Sequence, residues 1–128
     1  MQSVTTRKDG EILIITVDNP PVNVLSWHVR NGLSDGIKEA LADDGVKAAV
    51  LICAGQTFIA GADITEFQRS DLPESVNFLD VLTAFEGSTK LLVAAIHGTA
   101  LGGGLEVALG CHYRVAVPSA KLGLPEVK

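Results

Sequence analysis

Residues 4–7 and 12–17 are rich in β-branched side chains and flank Asp9-Gly10, which predicts two strands joined by a tight hairpin. Asn19-Pro20-Pro21 then breaks the extended run, because proline withholds an N–H and restricts the residue before it. From Ser26, a predicted N-cap, Val29, Leu33, Ile37 and Leu41 recur every four residues. That spacing predicts an amphipathic helix to about residue 42, ended by Asp43-Asp44-Gly45. Residues 48–53 (AAVLIC) form a short continuous apolar run, the pattern of a strand covered on both faces.

Residues 54–63 (AGQTFIAGAD) read as a glycine-punctuated loop, and residues 72–90 as a second helix with Pro73 near its start. Residues 91–96 (LLVAAI) are another buried strand, and residues 97–104 a second glycine-rich turn. A third helix opens at Leu105, and residues 113–117 are a further strand. A hairpin followed by repeated strand–helix–strand units implies an α/β fold with right-handed crossovers.

The 128 residues suit one domain. With 47% hydrophobic and 20% charged residues, disorder throughout is excluded. Aromatics are only 5%, so the core is built from Val, Ile, Leu and Ala. The net charge of −5, from 10 basic and 15 acidic side chains, argues against a nucleic-acid groove and against an anionic membrane surface. A small anionic ligand held by backbone amides remains open. The most apolar stretch, residues 91–110, contains His97, Glu106 and several glycines, which suits a buried strand and helix rather than a membrane span. Cys53 and Cys111 lie in or beside apolar runs and read as buried free thiols of a reducing, cytosolic-type compartment. The three histidines are too scattered to make a metal site with them.

Three features carry candidate chemistry: Ala60-Gly61-Ala62-Asp63, Gly102-Gly103-Gly104-Leu105-Glu106, and Leu124-Pro125-Glu126. A glycine turn after a strand lets backbone N–H groups approach a ligand, and at a helix start those groups are unpaired. One such turn alone is as well explained by a tight bend. Two of them, each after a buried strand, can each supply one N–H to the same oxygen, which is an oxyanion hole. The second turn lacks dinucleotide spacing and a phosphate-loop lysine. Glu106 follows Gly103 by three residues and projects from the same side of a helix. Alone it reads as a complement to the helix dipole. Its apolar neighbours Leu105, Val107, Ala108 and Leu109 predict little solvent around it, hence a partner or a raised pKa. Glu126 is the candidate partner, since two carboxyls beside an oxyanion hole can hold one water and divide acid and base duties. His97 reads as a structural, hydrogen-bonded histidine, and no nucleophile elbow is present for acyl-enzyme chemistry.

FIAGADITEF (residues 58–67), HGTALGGGLEVALGCHYRVA (residues 97–116) and KLGLPEVK (residues 121–128), in this order, resemble the crotonase, or enoyl-CoA hydratase/isomerase, superfamily. PPVNVLS and GGGLEVALGCHYRVA look most similar to the hydratase/isomerase part of multifunctional β-oxidation enzymes. The resemblance implies a crotonase-like ββα-superhelix, of which residues 1–128 form the N-terminal portion, truncated after the second catalytic Glu. It implies that the Ala62 and Gly103 N–H groups bind the thioester oxygen and that Glu106 and Glu126 are the catalytic carboxylates. It also implies a CoA-binding wall made of Val22, Asn23 and Val24 together with Ala60, Gly61, Ala62, Asp63 and Ile64.

The resemblance further implies an acyl-CoA substrate, hydration across C2=C3 of a 2-trans-enoyl-CoA, and no metal or other cofactor. NAD would enter only if a 3-hydroxyacyl-CoA dehydrogenase followed in a longer protein. Double-bond isomerisation is the alternative reaction, and a non-catalytic CoA-binding fragment the alternative of another class. A homo-oligomer or further domains, and a cytoplasmic or peroxisomal setting, are the associated expectations. So is weak activity of the 128-residue chain by itself.

Overall fold

The structure is a computed structural model that describes residues 3–66 and 69–124. Strands β1 (Val4–Asp9) and β2 (Ile12–Val17) pair antiparallel from Val4 opposite Val17 to Asp9 opposite Ile12. Gly10 takes φ +63° in the two-residue turn, the region that such hairpin turns require. Strand β3 (Ala48–Cys53) lies parallel to β2, β4 (Leu91–Ile96) parallel to β3, and β6 (Tyr113–Ala116) parallel to β4. The main sheet therefore runs β1-β2-β3-β4-β6. Two short strands, β5 (Thr99–Leu101) and β7 (Lys121–Gly123), pair parallel in a second sheet. Among the described residues, no helix is long and apolar enough to cross a membrane.

Helix α1 (Trp27–Ala42) begins after Ser26, as the spacing predicts. Its buried stripe departs from the four-residue repeat: Val29, Leu33 and Ile37 are buried, but Ala40 is inside and Leu41 is 38% exposed. Steps of four overshoot a 3.6-residue turn by roughly 40° each, so the third step from Val29 has rotated off the core face. Helix α2 is Phe78–Glu86 only, not residues 72–90. The Asn77 side chain accepts the Asp80 N–H and starts the helix there. Upstream, Val76 is held outside the helix, its N–H on Asn31 and its carbonyl on Arg30. Gly87 ends it. Helix α3 is Gly103–Gly110, opening two residues earlier than expected.

Strands β3 and β4 are not sealed on both faces. Ala49, Leu51 and Cys53 of β3, and Leu92, Ala94 and Ile96 of β4, are buried, while Ala48, Val50 and Ile52 are half-buried and Leu91 is exposed. Helix α1 packs on β1, β2 and β3, and α2 joins α1 to α3. The opposite face keeps its apolar side chains without such a cover among the described residues. The core is aliphatic, with Phe58 and Phe85 its largest buried side chains.

The rotated stripe of α1 is checked by urea unfolding. Leu33, fully buried, should cost about 3 kcal/mol on Leu33→Ala, and Leu41→Ala no more than about 0.5 kcal/mol. Equal losses would contradict this helix orientation.

Candidate active site

The first glycine turn is held by the strap that precedes α1. Asn23, 3% exposed, sits at φ +57°, a conformation asparagine tolerates better than most side chains. Its amide donates to the Ala54 and Thr57 carbonyls, and its Oδ1 accepts the Asn19 N–H. The Ala60 N–H then donates to the Val22 carbonyl at 3.2 Å, and the Leu25 N–H to the Gly61 carbonyl at 2.9 Å. Leu25 and Ala62 form an isolated parallel bridge. Thus residues 22–24 and 60–64, expected to share a wall, run side by side.

The members of that wall differ in what they present. Val22, Ala62 and Ile64 are exposed, whereas Val24, Ala60 and Gly61 are half-buried. The Asn23 side chain is turned inward and bonded to Ala54, Thr57 and Asn19. Asp63 is likewise engaged: Oδ1 accepts the Thr65 N–H and hydroxyl, and Oδ2 accepts the Ser26 hydroxyl at 2.9 Å. The Thr65 hydroxyl first, then the Ser26 hydroxyl and the Thr65 N–H, hold this carboxyl below the ordinary value against a smaller desolvation cost. Both oxygens of this carboxylate are thus taken up by the loop's own hydrogen bonds. The Ser26 hydroxyl, at the predicted N-cap, also accepts from Asn19 Nδ2 at 3.2 Å and makes no side-chain cap.

The second turn interlocks with the first. Leu101 N–H donates to Ile59 O at 3.4 Å, and Gly102, at φ +52°, donates its N–H to Gly123 O. Gly104 lies so close to the first turn that a Cβ would stand 1.9 Å from Ile59 O. Only glycine permits this approach. Gly103, the first residue of α3, abuts Leu25 and the Phe78 ring. Among the described residues, neither the Ala62 N–H nor the Gly103 N–H has an acceptor. Beside Ala62 opens a cavity of about 280 Å³, whose apolar lining is Leu25, Ala62, Leu72 and Phe78; Gly103 abuts two of these, Leu25 and Phe78.

Glu106 stands one turn into α3 from Gly103, and it is exposed. This corrects the expectation of a carboxylate with little solvent. Val107 and Ala108 are buried and Leu105 half-buried, but Leu109, three residues on, is 52% exposed on the same outward side as Glu106. Apolar neighbours in sequence do not fix which way a helical residue points. Glu126 lies outside the described residues. His97 bonds the Gly55 carbonyl at 2.9 Å. Cys53 and Cys111 are buried free thiols, and burial pushes both up to about 12. Among the described residues, no group of three or more His, Cys, Asp or Glu side chains is placed to hold a metal ion.

Two residues at this site escaped the sequence reading. Arg30 and Glu66 also line the cavity and form a 2.9 Å ion pair, with side chains only 15% and 8% exposed. A signal was present: Arg30 lies three residues before Leu33 and seven before Ile37, on the margin of the buried stripe. A basic side chain there requires an acidic partner.

The family model for enoyl-CoA hydratase/isomerase matches residues 7–128. The chain is 39% identical, over 132 residues, to a probable enoyl-CoA hydratase of Bacillus subtilis, covering 99% of this chain and 51% of that protein. It is 49% identical over 117 residues to a peroxisomal bifunctional enzyme of Danio rerio, covering 91% of this chain and 16% of that protein. A glyoxysomal fatty acid beta-oxidation multifunctional protein of Cucumis sativus is 46% identical over 127 residues, covering 94% and 17%. A crystal structure of an enoyl-CoA hydratase/carnithine racemase from Magnetospirillum magneticum superposes with a TM-score of 0.86 at 30% identity, covering 98% of this chain and 50% of that one. The chain therefore spans about half of the Bacillus relative, and far less of the multifunctional ones.

The Asp63 bonds predict a pH dependence. A carboxyl whose folded pKa is depressed contributes stability above its unfolded pKa and loses it as the pH falls through the folded value. The unfolding free-energy difference between wild type and Asp63→Asn should be constant from pH 7 to about pH 5 and should shrink below about pH 4. A difference that grows on acidification would contradict the bonding described.

Proposed function

The chain belongs to the enoyl-CoA hydratase/isomerase family, and from that premise we propose that it carries the hydratase site for 2-trans-enoyl-CoA thioesters in fatty-acid β-oxidation. The observation that carries this reading is the pair of N–H groups, Ala62 and Gly103, without an acceptor among the described residues, on two interlocked turns joined by Leu25 and Phe78 of one largely apolar cavity. An enoyl thioester carbonyl placed there would receive both. Adding water at C3 drives charge onto that oxygen, and each such donor is worth roughly 3–4 kcal/mol when water is excluded.

In this reading Glu106 takes a proton from water as its oxygen bonds to C3, and Glu126 delivers a proton to C2 as the enolate collapses. The product is the 3-hydroxyacyl-CoA, with H and OH added and no redox change. Val22 and Val24, with the backbone of residues 60–64, form the CoA wall. No cofactor is required for hydration. NAD belongs to the reading only through a dehydrogenase elsewhere in a longer protein. The chain then forms the N-terminal part of a crotonase-type domain, in a bacterial cytoplasm or a peroxisomal matrix. Oligomerisation or further domains would cover the exposed Glu106. Since water now reaches that carboxylate, the 128-residue chain alone should hydrate slowly.

Double-bond isomerisation is the second reading, supported by the family's description, which names both reactions. It needs one carboxylate to move a proton between C2 and C4, a task assigned to Glu126. The two readings separate on one variant. In a protein holding this chain within its whole domain, Glu106→Gln should lower crotonyl-CoA hydration by about 100-fold or more, read as loss of enoyl-thioester absorbance, with CoA affinity unchanged. Undiminished hydration in this variant would contradict the role of Glu106.

A further inference from the structure

The Ala62 N–H shares a peptide unit with the Gly61 carbonyl. That unit is planar and, when trans, points its C=O and N–H in opposite directions. Whatever holds the Gly61 oxygen therefore aims the Ala62 N–H. The holder is the Leu25 N–H, at 2.9 Å. Leu25 is held in turn through its own carbonyl, which accepts from Arg30 Nη1 at 2.8 Å. The same Nη1 donates to Glu66 Oε1 at 2.9 Å, and Glu66 Oε2 accepts the Trp27 N–H at 2.7 Å, the first amide of α1. Glu66 ends the 3-10 turn Ile64–Glu66 that follows Ala62. The chain of contacts is thus a closed circuit from Ala62 through Glu66, Arg30 and Leu25 back to Gly61.

Arg30 also reaches the opposite wall. Its Nε donates to the Val76 carbonyl at 2.9 Å and its Nη2 faces Ser75 Oγ at 3.5 Å. These residues lead directly into Asn77 and Phe78 at the start of α2, and the Phe78 ring abuts Gly103. One guanidinium fork therefore ties the peptide bearing one N–H donor to the side chain that packs on the other. Lysine, a point charge, cannot grip four acceptors on three segments. An apolar pair of the same volume would serve stability about as well, since burying two charges roughly offsets their attraction. What the ion pair supplies in addition is direction.

Resting on the hydratase reading, we propose that Arg30 and Glu66 are positioning residues for the thioester-binding pair: they set the Ala62 N–H at the distance and angle from the Gly103 N–H that the carbonyl requires. They touch neither the reacting atoms nor each donor directly, and act through Leu25 and Phe78.

The test uses 4-dimethylaminocinnamoyl-CoA, whose absorption moves to the red when its thioester carbonyl accepts strong hydrogen bonds. It is bound to wild type, Arg30→Lys, Glu66→Gln and a control, Lys90→Gln. Lys90 donates to the Ala40 and Asp43 carbonyls at the far end of α1, remote from the turns. Thermal melts establish that each variant folds. Glu66→Gln, close to isosteric, keeps one acceptor oxygen and sets an NH2 donor where the other stood, so it loses the bond from either Trp27 N–H or Arg30 and carries the test if Arg30→Lys does not fold. The expected result is a red shift in wild type and control, reduced by about half or more in both positioning variants. The cinnamoyl-CoA affinity should fall about tenfold while free CoA affinity stays within about twofold, because a small displacement of an aimed group is costly. A lowered melting temperature with an undiminished red shift would make the pair merely structural and overturn the inference while leaving the hydratase reading intact. No red shift in wild type would remove that reading, and this inference with it.

Discussion

The approach of Gly104 to the Ile59 carbonyl is the constraint on which the rest of the site depends. With a Cβ at this position only 1.9 Å from that oxygen, any other residue would push α3 away from the first turn. Glycine lets the helix start against the loop, and three consequences follow. The first residue of the helix, Gly103, lies against Leu25, the bridge partner of Ala62, the Phe78 ring packs beside it, and Glu106 is carried one turn further along the same helix. The parallel strands β3 and β4 deliver both turns to one end of the sheet. The fold thus brings two segments more than forty residues apart within packing distance through a single missing side chain.

Much of this architecture was legible in the sequence because its signals are local. The hairpin at Asp9-Gly10, the runs of β2, β3 and β4, and the core stripe of α1 each declare themselves within a few residues. The misreadings arose where distant residues decide. Helix α2 is short because Arg30 and Asn31, forty-six and forty-five residues upstream, hold Val76 outside it. Strands β5 and β7 were missed because each has three residues and exists only by pairing with the other. The alternation in β3 was hidden since both its faces carry apolar side chains; only the placement of helices distinguishes them.

The site divides along the same line. The glycine turns were readable as backbone donors because glycine itself is the signal, and the resemblance to the enoyl-CoA hydratase/isomerase family agrees with the family to which the chain belongs. Side-chain roles were less readable. Asp63 and Asn23, adjacent to the turns, serve the loop's own hydrogen bonds, and no spacing rule announces that. Glu106 is exposed although its neighbours in sequence are apolar. Arg30 and Glu66, thirty-six residues apart, become partners only when α1 and the 3-10 turn meet.

In the proposed site the Ala62 and Gly103 N–H groups act together on one thioester oxygen. Amide correlation spectra of the 15N-labelled chain, recorded during titration with butyryl-CoA and separately with free CoA, address it atom by atom. The Ala62 and Gly103 amide protons should move downfield together with butyryl-CoA, by clearly more than with CoA alone, since a new charge-bearing acceptor deshields its donors. If butyryl-CoA binds and shifts other amides while these two stay where free CoA leaves them, the two N–H groups do not share a thioester oxygen.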